Sequence, residues 1–183
     1  MSRRRFLGCA VAGGLIALPG GARLVEARER AANRAERWLE LMNTHTGEVV
    51  SVAYRGAGGF VRSSIERLEW LLRDFRIGEQ RPMDAALYDQ LADLAVAAGS
   101  DPRFEIISGY RSAKTNAKLA VEGHGVARHS LHMEGRAIDV RLRGCSCARL
   151  RDLAIDLQRG GVGYYAKSDF VHLDTGRVRR WVG

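Results

Sequence analysis

Two histidines and one aspartate in the second half of the chain limit what it can fold into. The stretch Ser130-Leu131-His132-Met133-Glu134-Gly135-Arg136-Ala137-Ile138-Asp139 offers an imidazole and a carboxylate, divided by a glycine and a short apolar run. Much further along, Phe170-Val171-His172-Leu173-Asp174 brings a second imidazole. Two imidazoles and a carboxylate form a ligand set that holds a catalytic zinc and leaves its fourth position to water. No single helix can present ligands so far apart. A loop and two strands have to converge.

Alternation in both segments agrees with that geometry. With residues 136–142 as a strand, Ile138, Val140 and Leu142 point to one face, and Ala137, Asp139 and Arg141 to the other. The apolar face belongs on the core, which turns Asp139 toward a cleft. In residues 170–174, Val171 and Leu173 share a face, while Phe170, His172 and Asp174 share the opposite one. Two adjacent strands so patterned present Asp139 and His172 side by side.

The combination Ser-x-His-x-x-Gly-x-Ala-x-Asp with Phe-Val-His-x-Asp resembles the D-alanyl-D-alanine peptidase group of zinc enzymes. These share a fold with lysostaphin-type endopeptidases and the hedgehog signalling domain. Within that group the chain is most similar to the YcbK-like (MepK-type) branch of periplasmic murein endopeptidases. Ser108-Gly109-Tyr110-Arg111-Ser112, Gly160-Gly161-Val162-Gly163-Tyr164-Tyr165 and Thr175-Gly176 carry the likeness along with the two ligand segments. The resemblance implies an α+β fold, an antiparallel sheet with flanking helices. It implies Zn2+ on His132, Asp139 and His172, and peptidoglycan stem peptides as the partner rather than nucleic acid.

The same resemblance gives roles to other side chains. Arg111 reaches the substrate and stabilises an oxyanion or a peptide carboxylate. Ser130 and Tyr110 stand at the substrate, or Ser130 orients His132. An acid three places before the last histidine serves as general base, which here is Asp169. Asp174 competes for that task because it shares a strand face with His172, but its place before Thr175-Gly176 reads as an Asx-type turn. The expected reaction is hydrolysis of a peptide cross-link. Trimming of a terminal D-alanine by a D,D-carboxypeptidase, or a metal-bearing wall-binding module without activity, are the alternatives.

Composition adds the compartment. The chain of 183 residues suits one domain, and its formal net charge is +8 with three arginines in the first five residues. Cleavage after Ala22 leaves 26 Lys and Arg against 21 Asp and Glu, a net +5 that fits an anionic polymer without choosing one. Arg3-Arg4-Arg5 followed by an apolar, glycine-containing run to Leu18 and then Pro19-Gly20-Gly21-Ala22 reads as a twin-arginine export signal. The run falls short of the roughly 20 residues a membrane span needs. Residues 1–27 are thus expected to be signal and cleavage region, and 28–183 a single zinc peptidase domain. The export machinery is a transient partner, the periplasm the destination, and no stable membrane insertion follows. Cys145 and Cys147, with Ser146 between, can bridge as a strained local disulfide or bind metal as a pair.

The rest reads as scaffold. Residues 38–43 and 49–54 form a hairpin about Asn43 and Gly47. A helix opens at a Ser63/Glu66 capping box and runs to Phe75. A second covers 83–98 and stops at Gly99. Residues 104–108 are a strand, 113–122 and 146–159 helices, 162–165 a strand, and 170–174 with 177–182 a closing hairpin. His45 is a turn residue, and His124 and His129 sit on a rim.

Overall fold

The structure, a computed structural model, describes residues 36–122, 127 and 129–183. The expected export signal and His124 lie outside these residues. Strands β1 (Arg37–Asn43) and β2 (Val49–Gly56) form the expected antiparallel hairpin. Asn43 makes its turn: Oδ1 accepts from the backbone N–H of His45 at 2.9 Å and of Thr46 at 3.2 Å. Leu39, Leu41, Val52 and Tyr54 alternate into the core. The short β3 (Gly59–Phe60) pairs antiparallel with β2, and α1 (Arg62–Leu71) follows.

The capping box does not form. Helix α1 has its N-cap at Val61, two residues before Ser63, with no side-chain cap bond. It also ends at Leu71, because Asp74 turns inward to accept from Ser112 N–H and Oγ at 3.0 and 2.7 Å. Phe75, expected on the helix face, instead stacks on His45 at 4.5 Å. Helix α2 (Ala85–Ala98) has Asp84 as its cap and Gly99 in a left-handed stop, as its sequence requires.

Strands β4 (Arg103–Ser108), β5 (Ala137–Leu142), β6 (Gly161–Tyr165), β7 (Phe170–Asp174) and β8 (Arg179–Val182) complete one eight-stranded sheet. Its order is β3-β2-β1-β4-β5-β7-β6-β8. This corrects the expected antiparallel sheet: β1 with β4 and β6 with β8 are parallel, so the sheet is mixed. The crossover through α1 and α2 makes the first parallel pair. The expected hairpin of 170–174 with 177–182 fails for a physical reason. β7 already hydrogen-bonds β5 on one side and β6 on the other, so β8 has no edge there and takes the free edge of β6.

Helices α3 (Ala113–Val121) and α4 (Cys147–Leu157) are capped by Ser112 and Ser146. Ile138, Val140, Leu142, Val171 and Leu173 meet α2 and α4 in one apolar core with Leu87, Leu91 and Leu150. Emptying such a position from leucine to alanine costs about 2–5 kcal/mol. The alternation of β5 and β7 then sends Asp139 and His172 to the other face. No helix among the described residues is long and apolar enough to cross a membrane.

Candidate metal centre and substrate cleft

His132 stands in a single 3-10 turn, Leu131–Glu134, between Ser130 and Gly135. Backbone bonds tie the turn to the Ser108–Ser112 corner, since Arg111 N–H donates to His132 O at 3.1 Å. Asp139 and His172 are directly paired in the register of β5 and β7. The three side chains are buried and converge: His132 Nε2 lies 3.2 Å from His172 Nδ1 and 3.3 Å from Asp139 Oδ1, and those last two atoms are 2.8 Å apart.

Their other atoms fix which nitrogens carry protons. His132 Nδ1 is 2.7 Å from Gly109 O, a carbonyl that can only accept, so Nδ1 holds the hydrogen. His172 Nε2 is 3.1 Å from the Asp174 carboxylate and donates to it. With His172 neutral, both rings aim unprotonated nitrogens at Asp139 Oδ1. Three lone pairs that face one another require a cation among them. Tetrahedral zinc bound to nitrogen and oxygen donors at about 2.0–2.1 Å would space those donors about 3.3–3.4 Å apart, close to the triangle found here. Holding each metal-facing histidine through its far nitrogen is also how metal sites are oriented.

Without metal, a proton fills the gap. Burial works against a charged His172, but hydrogen bonds and charge from Asp139 and Asp174 outweigh it and push the ring up to about 9. Burial lowers His132, and Asp139 opposes that only in part. Asp139 is held well below the usual carboxylate range by both rings, against its own burial.

Above the triad opens a cleft of about 330 Å³, lined by Arg111, Ser130, His132, Asp139, Tyr165, His172 and Trp181 among others. Arg111 is buried, and burial lowers its pKa. Its protein contacts are long: 3.3 Å to Ser108 Oγ, 3.5 Å to Asn116 Oδ1 and 3.8 Å to Asp139 Oδ2. Its Nε has no hydrogen-bond partner among the described residues. A buried guanidinium so poorly satisfied is costly unless something else accepts its hydrogens, and it lines the cleft where a substrate carbonyl or carboxylate would lie. Ser130 also lines the cleft, and its Oγ accepts from His132 N–H at 3.4 Å. His129 sits exposed on the rim, as expected.

Two expected residues are not brought to the site. Tyr110 is buried with its hydroxyl 2.5 Å from Glu79 and does not line the cleft. Asp169 has φ 50°, which turns its side chain outward; it is 71% exposed and lies 3.6 Å from Arg141 Nε. Its carboxylate also sits against Cys147, whose thiol burial pushes up to about 12. Cys145 and Cys147 are unbridged. Asp169→Asn is therefore expected to keep any metal held by the triad and to turn over within about threefold of wild type. A 10²-fold loss, the scale of a missing general base, would return Asp169 to the chemistry. Among the described residues, Asp139 is the only carboxylate that lines the cleft.

Sequence comparison gives the family. Residues 31–181 match the family described as peptidoglycan L,D-endopeptidase MepK. The chain belongs to this family. It is 35% identical to the peptidoglycan L,D-endopeptidase MepK of Escherichia coli (strain K12) over 183 residues, 98% of this chain and 97% of that one. It is 39% identical over 148 residues to the probable peptidoglycan L,D-endopeptidase MepK of Haemophilus influenzae, 80% of each chain. No solved structure matches. The chain is thus a peptidase of a metallopeptidase family, with a buried His-Asp-His group able to hold a metal.

Proposed function

We propose that this chain is an exported zinc endopeptidase that hydrolyses L,D-amide cross-links of peptidoglycan, such as a diaminopimelate–diaminopimelate bridge. The convergence of three lone pairs from His132, Asp139 and His172 beneath a cleft carries the reading. The relatives' activity supports the substrate. Zinc bound there supplies a Lewis acid and a water acidic enough to ionise near neutral pH.

The chain's own groups do the rest. Gly109 O and Asp174 lock the two rings in their ligand tautomers. Arg111 donates to the oxygen that gains negative charge as the amide carbon becomes tetrahedral. Ser130 holds the turn that carries His132 and offers its hydroxyl to the peptide. The triple arginine at the N-terminus supports export by the twin-arginine route to the periplasm.

Digestion of purified murein, followed by mass analysis of the fragments, tests the function. Release of monomers from L,D-linked dimers is expected, with D,D-linked dimers left whole. Loss of terminal D-alanine alone would replace this reading by the carboxypeptidase. Fractionating cells that carry Arg3→Lys and Arg4→Lys tests the route, and undiminished periplasmic protein would exclude it.

A further inference from the structure

Tyrosine hydroxyls in this structure differ in what they do with their proton. Tyr54 sits 2.9 Å from the Asp89 carboxylate and Tyr110 2.5 Å from that of Glu79, so each donates its hydrogen to a fixed acceptor. Tyr165 does the reverse. Its oxygen lies 3.1 Å from Trp181 Nε1, an indole N–H that can only donate. The Tyr165 oxygen is therefore an acceptor, and no acceptor for its own O–H is found among the described residues.

The ring is held on several sides. It stacks on Phe170 with centroids 4.5 Å apart and planes at 16°. Trp181 in turn lies across β6 because residue 163 is glycine: a Cβ there would come within 2.6 Å of the indole. The same indole packs 5.1 Å from the His172 ring. Tyr165, Trp181, Phe170 and Arg111 all line the cleft above the ligand triad. A negative charge on Tyr165 would favour the charged form of Arg111, so the two groups are within electrostatic reach.

Resting on the endopeptidase reading of this cleft, we propose that Tyr165 is a second hydrogen-bond donor to the oxyanion, beside Arg111. Trp181 is the positioning residue that fixes it. A donor oriented before the reaction costs no reorganisation as charge develops. The Trp181 N–H supplies that orientation by occupying the phenol oxygen, and the Phe170 stack holds the plane of the ring. Both hydroxyl and indole stay neutral, and no bond to either is made or broken.

The test uses zinc-loaded protein, an L,D-linked muropeptide dimer and a phosphinate analogue of its scissile amide. Tyr165→Phe keeps the stack and loses only the hydroxyl. It is expected to retain zinc, to lose about 10²-fold in kcat with KM within threefold, and to bind the phosphinate correspondingly more weakly. Affinity for the cleavage products should not change. Trp181→Phe is expected to weaken kcat and phosphinate binding about tenfold in the same direction.

Tyr165→Phe with wild-type kcat and phosphinate affinity would overturn the donor role. So would a loss shared equally by KM and product binding, which marks a ground-state contact, or a loss of zinc, which marks a structural one. A fully active Trp181→Phe would remove the positioning role. Wild-type protein that neither cleaves the dimer nor binds the phosphinate would overturn the endopeptidase reading and this inference with it.

Discussion

His132→Ala is expected to leave the chain folded, without bound zinc, and inactive on murein. The fold survives because the turn around His132 is held by its backbone, through Arg111 N–H to His132 O and Met133 N–H to Ser130 O. The site does not survive. Asp139 and His172 remain only 2.8 Å apart and bond each other instead of a metal. Metal analysis should give about one zinc per wild-type chain and background in the variant. Thermal melting gives an independent readout. Zinc at a thousandfold its Kd stabilises the native state by about 4 kcal/mol, roughly 10 °C for a domain of this size. That increment should vanish in His132→Ala. Full zinc occupancy in the variant would remove this triad as the site.

Metal uptake should also depend on pH in a defined direction. The metal-free His172 is pushed up to about 9, so below that value binding has to displace a proton. Zinc affinity should therefore rise about tenfold per pH unit from neutrality toward 9 and flatten beyond.

The facing of Asp139 and His172 was legible in the sequence because strand alternation is a rigid rule. Once Ile138, Val140 and Val171 claim the core, Asp139 and His172 have no other face to occupy. Helices α2 and α4 were legible for a similarly local reason, since their apolar residues recur at helical spacing and Gly99 stops the first. Strand pairing is not local. Whether β8 folds back on β7 or crosses to β6 depends on which edge is vacant, and no periodicity records that. The misplacement of Asp169 has the same origin. An acid three residues before His172 points at the metal only if the backbone there is extended, and at φ 50° it is not. Trp181 and Tyr165 escaped attention because their link runs through Gly163, a residue whose missing side chain is the signal.

Asp174 carries the other large expected effect, and it is greater than a turn residue would show. The Asx turn is present: Gly176 N–H donates to Oδ1 at 2.8 Å. The carboxylate is also fully buried, and it accepts from Gly161 N–H at 3.0 Å, from both Arg179 Nη atoms at 3.1 and 2.7 Å, and from His172 Nε2 at 3.1 Å. His172 and Arg179 hold it well below the usual carboxylate range, against its burial. Asparagine preserves the shape and can still accept the two backbone hydrogens at Oδ1. Its amide nitrogen then faces His172 Nε2 and Arg179, both donors. The clash is relieved when His172 moves its hydrogen to Nδ1, which is the atom that faces the metal. Asp174→Asn should therefore fold and yet bind zinc about 10–100-fold more weakly, the usual cost of losing a partner behind a ligand. Competition with a chelator at pH 7 measures it. Excess zinc should restore much of the activity, which it cannot do for His132→Ala. Wild-type zinc affinity in Asp174→Asn would confine this carboxylate to the turn.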